Sequence, residues 1–141
     1  MIELIRRPDW RSRFETVIDD IKARPFEWGT HDCGPGLAGR IVEAMTGQDI
    51  SRFVVGHYDD ATSAARLIHK LGFDSLGALV ASLLPVIHPS RARLGDVAAI
   101  DVGGPIGHAL GVVNGERIFV LKENGIGTVN LLSAAMCFKV G

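Results

Sequence analysis

The sequence predicts an α+β fold in which N-terminal helices pack on a C-terminal antiparallel sheet. Apolar residues recur at helical spacing through the first half of the chain, whereas the segments after Pro89 are short and rich in β-branched residues. Two Asn-Gly pairs separate apolar runs in this second half, which is typical of β-hairpins. We expect a single domain over residues 1–141, because two cores in a chain of this length would each be marginal.

Glycine or proline follows each of the four helical patterns, as expected where a helix ends. The predicted helices are residues 9–23, Leu37 to about Met45, Ala61 to Leu71, and Asp74 or Ser75 to Leu84. The predicted strands are Asp96 to Ile100, His108 to Val113, Glu116 to Leu121, Ile126 to Leu132 and, as a candidate edge, Met136 to Val140. Helices therefore precede strands along the chain, as in α+β proteins.

The Asn114-Gly115 pair is the sharpest local signal in the strand-rich half. A type I′ turn needs positive φ at both of its central residues, and Asn-Gly meets this need. With these two residues at the centre of the turn, His108 lies opposite Leu121. Side chains alternate along a strand, so His108 shares a face with Leu110 and Val112, which we expect to pack on the helices.

Charge and hydropathy exclude several classes of protein. Lys and Arg number 15 against 16 Asp and Glu, so no basic field is available to bind nucleic acid or an anionic membrane surface. No apolar run is long enough to span a bilayer, and the N-terminus lacks the residue order of a signal peptide. We therefore expect neither nucleic acid nor a membrane as a partner, and we expect synthesis in the cytoplasm.

The cysteines and histidines show no paired spacing typical of metal ligands, such as Cys-x-x-Cys. A metal site would have to be gathered from His31, Cys33 and His108, so we expect no metal and no other cofactor. The two cysteines occur in unlike contexts, Cys33 among turn residues and Cys137 in an apolar tail. No disulfide framework is therefore indicated.

Cys33 is the residue best placed to carry chemistry. It follows a polar turn and precedes a helix, where free backbone N–H groups and the helix dipole favour an anion. Such a setting lowers the pKa of a thiol and makes it a nucleophile. The alternative reading of the same residue is a buried cysteine that packs as a small apolar side chain.

The motifs around Cys33 resemble those of a known superfamily. They are Phe26, Trp28-Gly29 and Asp32-Cys33, followed by Thr46-Gly47-Gln48-Asp49 and Leu94-Gly95-Asp96-Val97. This pattern is similar to the NlpC/P60 (papain-like) cysteine peptidases, most of all to small phage and prophage tail-associated members. The resemblance implies a papain-like fold, a cysteine nucleophile at the start of a helix, a histidine base on the adjoining sheet, and cleavage of amide bonds, commonly in peptidoglycan peptides.

Two stretches depart from the pattern of that superfamily. Gly34-Pro35-Gly36 stands where many members have Ser-Gly, and because glycine weakens a helix, we expect the helix to begin only near Leu37. The histidine motif of the superfamily, His-x-Gly, is one residue longer here, from His108 to Gly111. If Gly111 sets the register, His108 points to the opposite face of the sheet, and a bulge near Gly107 would restore it.

The resemblance and the facing of the strands together predict a catalytic set. Cys33 is the nucleophile, His108 takes its proton, and Glu123, one diagonal step away on the same face, orients the imidazole. An exposed turn at Glu123-Asn124-Gly125 is the alternative for that acid. Asp32 and Asp96 are expected to cap turns, because their short carboxylates accept local backbone N–H bonds.

Two functions of different class remain open from the sequence. The first is a thiol hydrolase of amide bonds, with peptidoglycan peptide as the substrate implied by resemblance. The alternative is a catalytically silent phage-tail or prophage assembly module, which would bind phage-tail proteins and be associated with the virion. The longer histidine motif and the glycines after Cys33 favour this second function.

Overall fold

The computed structural model describes residues 1–141 and has the α+β arrangement, with four helices and a six-stranded antiparallel sheet. The helices are α1 (Trp10–Lys22), α2 (Arg40–Thr46), α3 (Ala61–Lys70) and α4 (Leu76–Leu83), and a π-helical segment, Cys33–Gly39, runs directly into α2. The strands are β1 (Val86–Ile87), β2 (Val97–Gly103), β3 (Gly107–Asn114), β4 (Arg117–Lys122), β5 (Gly125–Asn130) and β6 (Ala134–Phe138). Their order in the sheet is β1-β6-β2-β3-β4-β5.

The main hydrophobic core lies between the helices and one face of the sheet, and its burial is the chief favourable term in folding. Its members include Phe14, Ile18 and Ile21 from α1, Ile41, Val42 and Met45 from α2, and Leu110, Val112 and Leu121 from the sheet. A smaller cluster on the opposite face contains Ala98, Val113, Ile118, Val120 and Cys137. Leu110 and Val112 therefore face the helices, as predicted.

Caps fix the helix ends close to where the sequence places them. The Ser75 side chain accepts a backbone N–H at the start of α4, and Asp60 forms a capping box with Ser63 at the start of α3. Gly47, with φ +83°, closes α2 in the left-handed conformation. None of the four helices has both the length and the apolar character needed to cross a membrane.

The helix that carries Cys33 begins earlier than the sequence predicts. Helical bonding starts at Cys33, in π-helical form, rather than near Leu37. Gly36 of this segment has a packing reason, because a Cβ there would stand 2.5 Å from the Cα of His31. Close tertiary contact therefore outweighs the local cost of glycine in a helix.

The turn between β3 and β4 is shifted by one residue from its predicted position. Asn114 pairs with Arg117, so Gly115 and Glu116 occupy the centre of the two-residue turn. Only Gly115 has a positive φ, of 64°, and no residue other than glycine adopts one. This pattern is that of a type II′ turn with glycine first, in place of the predicted type I′.

His108 pairs with a different strand from the one predicted. The β3–β4 pairing ends before it reaches His108, which therefore does not lie opposite Leu121 and is paired instead with Asp101 of β2. A bulge inserts one extra residue, Val102, into β2 next to this pair. The sequence suggested a bulge in β3 near Gly107, but the bulge lies in β2. The side chains of β3 therefore keep their regular alternation.

The C-terminal strand lies inside the sheet, so the prediction of an edge at Met136–Val140 was wrong. β6 lies between β1 and β2 and pairs antiparallel with both. Cys137 and Phe138 of β6 are fully buried, as an interior position requires. The error arose because β1 has only two residues and therefore no periodic signal of its own.

Replacing Gly115 with valine tests the position of the turn. Valine at a positive φ strains the backbone by about 1–3 kcal/mol, so the free energy of unfolding measured in urea should fall by that amount. Gly127→Val is the matched control, since Gly127 lies in β5 without positive φ and a Cβ there would meet no atom within 4 Å. Equal stabilities of the two variants would contradict a turn that depends on glycine at position 115.

Candidate active site

Cys33 is the first residue of the π-helical segment, and its sulfur faces the sheet. Asp32 before it is extended, with φ −126° and ψ −165°, so the chain turns into the helix at the cysteine. The segment packs on β3 and β4. The backbone amides of Leu110, Cys33 and Gly34 lie beside the sulfur and favour its thiolate form. The first N–H groups of a helix have no acceptor within it, so they are free to serve a ligand or a thiolate here.

The thiol of Cys33 is nevertheless a weaker acid than an ordinary cysteine. Burial raises its pKa to about 11, the surrounding N–H groups oppose this increase, and the charge of Asp32 adds to it. The expectation of a lowered pKa was therefore wrong, because contact with the sheet removes water from the sulfur. At neutral pH Cys33 is a protonated thiol.

His108 lies on the wall of the same cavity as Cys33, half-buried on the helix-facing side of β3. Its Nδ1 accepts the backbone N–H of Gly77 at 3.3 Å. The neutral ring therefore carries its proton on Nε2. A Cβ at position 77 would stand 2.6 Å from Nδ1, so glycine there lets the ring lie against the start of α4. The structure thus brings the predicted nucleophile and base to one cavity, with one ring nitrogen directed at the start of α4.

Glu123 is not brought to this cavity. It lies in the exposed turn between β4 and β5 and forms no hydrogen bond with His108. Its predicted position depended on continued pairing of β3 with β4, but that pairing ends at Gly111 and Val120. The exposed-turn alternative therefore describes Glu123, and no carboxylate hydrogen-bonds to the imidazole.

Tyr58 is the residue of the site that the sequence did not reveal. Its hydroxyl donates to Oδ2 of Asp32, which also accepts the backbone N–H of Gly29 at 3.0 Å. Burial, followed by the charge of Asp32, raises the pKa of Tyr58 above its usual value, so the hydroxyl stays a neutral donor. It is the only tyrosine of the chain and lies in a loop far from Asp32 in sequence, so no local pattern links the two.

Asp32 has the turn-capping role that was predicted and one free acceptor besides. Its bond to Gly29 closes the turn before Cys33. The residue is 1% exposed, and its Oδ1 has no hydrogen-bond partner. Buried polar atoms are rarely left unpaired, so this oxygen is an uncompensated acceptor behind the cavity wall.

A single cavity of about 180 Å³ joins these residues. Cys33, Asp32, Tyr58 and His108 all line it, and 18 of its 24 lining residues are hydrophobic. Trp28, from the motif before the cysteine, forms part of the wall. The arrangement places a thiol, an imidazole and backbone N–H groups beside an apolar pocket. These are the types of group that serve as nucleophile, general base and oxyanion donors in acyl transfer.

The remaining histidines lie elsewhere. His31 is buried, with Nε2 3.3 Å from the carbonyl oxygen of Ile21, so it holds α1 against the loop. His57, His69 and His88 are exposed. No group of three His, Cys, Asp or Glu side chains is spaced to hold a metal ion.

Comparison with known proteins gives a family. Residues 5–140 match the family described as a domain of unknown function (DUF6950). No curated protein matches the chain. The family match extends over nearly the whole sequence, but its description supplies no activity that could be assigned to Cys33.

Alkylation with iodoacetamide should report both the access and the acidity of Cys33. Cys33 borders the cavity whereas Cys137 is fully buried, so Cys33 should be labelled first. Because only the thiolate reacts and the pKa is about 11, the rate should rise about tenfold per pH unit between about pH 7 and pH 10. Mass spectrometry measures the labelling, with Cys33→Ala as the blank. A rate that becomes constant below pH 8 would contradict the raised pKa.

Removing the hydroxyl of Tyr58 should destabilise the fold through Asp32. Tyr58→Phe leaves a buried carboxylate with one hydrogen bond fewer, and the free energy of unfolding should fall by about 1–3 kcal/mol. In an Asp32→Asn background the same change should cost less, because a neutral amide is easier to bury. Additivity of the two substitutions within about 0.5 kcal/mol would show that the two side chains are not coupled.

Proposed function

Because this chain belongs to the family described as a domain of unknown function (DUF6950), we propose its activity from the chemistry of its own cavity. The proposed activity is that of a thiol hydrolase, in which Cys33 attacks the carbonyl carbon of an amide. The observation that carries this proposal is that Cys33, at the start of a helix, shares one cavity with His108.

The order of the elements supports a papain-like fold of the NlpC/P60 type. The helix that begins at Cys33 packs on an antiparallel sheet, and His108 lies on the strand that it contacts. This is the relation between cysteine and histidine that the resemblance implies. Amide bonds of peptidoglycan peptides are the substrate class that follows from the same resemblance.

The neutral thiol needs a base at the moment of attack. With a pKa of about 11, Cys33 is protonated at neutral pH, so its proton passes to His108 as the sulfur–carbon bond forms. The carbon–nitrogen bond then breaks, and His108 returns the proton to the leaving amine. A water molecule, deprotonated by His108, cleaves the resulting thioester and releases the acid.

The resting position of His108 has to change slightly for this role. Its unprotonated Nδ1 is occupied by the N–H of Gly77, so the ring must release that bond before it can accept the proton of the thiol. At 3.3 Å the bond is longer than the usual range of backbone N–H bonds and correspondingly weak. Rotation of the half-buried ring toward the sulfur therefore costs little.

Backbone groups beside the sulfur stabilise the charge that develops on the substrate. The N–H of Cys33 lies at the start of the helix and donates to the oxyanion formed on attack. This donor stabilises the oxyanion without a third catalytic side chain.

A catalytically silent assembly module is the second candidate. Three observations favour it: the raised pKa of Cys33, the occupied Nδ1 of His108, and the absence of a carboxylate bonded to the imidazole. In that role the domain binds phage-tail proteins, as the resemblance to tail-associated members implies, and the cavity needs no chemistry.

Alanine variants separate the two functions. In a hydrolase, Cys33→Ala and His108→Ala should be equally inactive on peptidoglycan peptide fragments, because members of one catalytic unit are not additive. Newly released amines are quantified by mass spectrometry. His69→Ala is the control and should keep full activity, since His69 is exposed on α3 and does not line the cavity.

Circular dichroism should show that all three variants remain folded. If wild-type protein releases no amine from any wall peptide and Cys33→Ala supports particle assembly like wild type, the silent module is correct and the hydrolase is not.

A further inference from the structure

The cavity beside Cys33 has its polar groups at one place and apolar walls elsewhere. Asp32, Tyr58 and His108 are grouped around the cysteine. The rest of the wall is largely aliphatic or aromatic and includes Ile50, Phe53, Leu67, Leu79, Val102 and Ile106. A polar substituent placed in this part of the cavity would lose its hydration without gaining hydrogen bonds.

The size of the cavity limits what fills it. Its volume is about 180 Å³. An apolar protein cavity of about 150 Å³ stays dry and admits benzene, so this one has room for a hydrocarbon group of about six to eight carbon atoms. Cys33 borders the cavity, so a group attached to the carbonyl that the sulfur attacks reaches the cavity directly.

The apolar wall continues to the protein surface. Phe53 and Val102 both line the cavity, yet they are 44% and 61% exposed. Val102 is the extra residue of the β2 bulge, and bulges commonly redirect a side chain beside a functional site. The two side chains therefore form an apolar mouth through which a longer chain can extend.

We propose that the substrate of this site carries an apolar acyl group, a hydrocarbon group of at least about six carbon atoms, which fills the cavity while its carbonyl carbon meets Cys33. This proposal rests on the thiol hydrolase function, and it replaces peptidoglycan peptides with apolar acyl compounds as the substrate class of that function. The acyl group becomes a thioester of Cys33, the amine leaves with the thiol proton through His108, and water releases the free carboxylic acid. A fatty acyl chain and a large apolar amino-acid side chain share this chemistry.

Chain length should control the rate. Each methylene that moves from water into an apolar site strengthens binding about fourfold, so about four buried methylenes favour octanoyl over acetyl by about two-hundredfold. We therefore compare kcat/KM for the p-nitroanilides of octanoic acid, acetic acid and N-acetyl-phenylalanine, and for a peptidoglycan peptide, with Cys33→Ala as the blank. A faster reaction of the phenylalanine compound would identify an apolar side chain as the occupant.

Equal rates for octanoyl and acetyl, or a peptidoglycan peptide cleaved faster than any apolar substrate, would overturn the proposal. As long as these reactions still require Cys33, the hydrolase function would stand. The experiment therefore distinguishes failure of the apolar substrate proposal from failure of the hydrolase proposal.

A charge at the mouth supplies the matched test. Val102→Asp should reduce the preference for octanoyl over acetyl at least about tenfold, whereas Leu132→Asp should leave it unchanged, because Leu132 is 89% exposed and outside the cavity.

Binding of octanamide to Cys33→Ala, followed by the fluorescence of Trp28 in the wall, provides a readout without turnover. Binding that Val102→Asp weakens, with no hydrolysis by wild type, would reject the hydrolase but retain the apolar site. No binding and no hydrolysis would reject both.

Discussion

One buried carboxylate joins the two ends of the chain to the start of the sheet. Asp96 is 1% exposed, and its Oδ1 accepts from the Arg6 guanidinium and from the Val140 N–H, both at 3.0 Å. Its Oδ2 accepts the Arg93 N–H at 3.0 Å, and Arg6 also donates to the Leu94 carbonyl. Because an unpaired charge at this depth would cost several kcal/mol, these donors stabilise the chain where β2 begins.

A second buried carboxylate organises the site in the same way. Asp32 closes the turn before Cys33 through Gly29 and ties that turn to the loop of Tyr58. Both motif carboxylates were predictable as turn caps, since that role depends on neighbours in sequence. Their distant partners, Tyr58 and Arg6, were not predictable. These contacts form between residues far apart in sequence, and the local sequence around either residue gives no sign of them.

The same distinction explains which parts of the fold the sequence predicted. Helical periodicity placed the four helices within a few residues, and strand alternation placed His108 on the helix-facing side. The predicted side is correct although the turn is shifted. Moving the centre of the turn to Gly115 and Glu116 shifts the β4 partner of each β3 residue by two positions, and a shift of two leaves each side chain on the same face of the sheet. The extent of the β3–β4 pairing has no such local signal, so the position predicted for Glu123 was wrong. Early helical bonding at Cys33 likewise depends on tertiary packing.

The π-helical form of Cys33–Gly39 restricts how the chain can change in length. A π-helix bonds each residue to one further along than an α-helix does, so this segment holds a surplus residue. Deleting one residue here would restore α-helical bonding and leave the orientation of α2 intact. A deletion between Ile41 and Met45 of α2 would instead rotate these two buried residues by about 100° relative to each other, so both could no longer face the core. The fold therefore tolerates a one-residue deletion better in the Cys33–Gly39 segment than in α2. Because this segment begins at Cys33, such a deletion also changes the surroundings of the thiol.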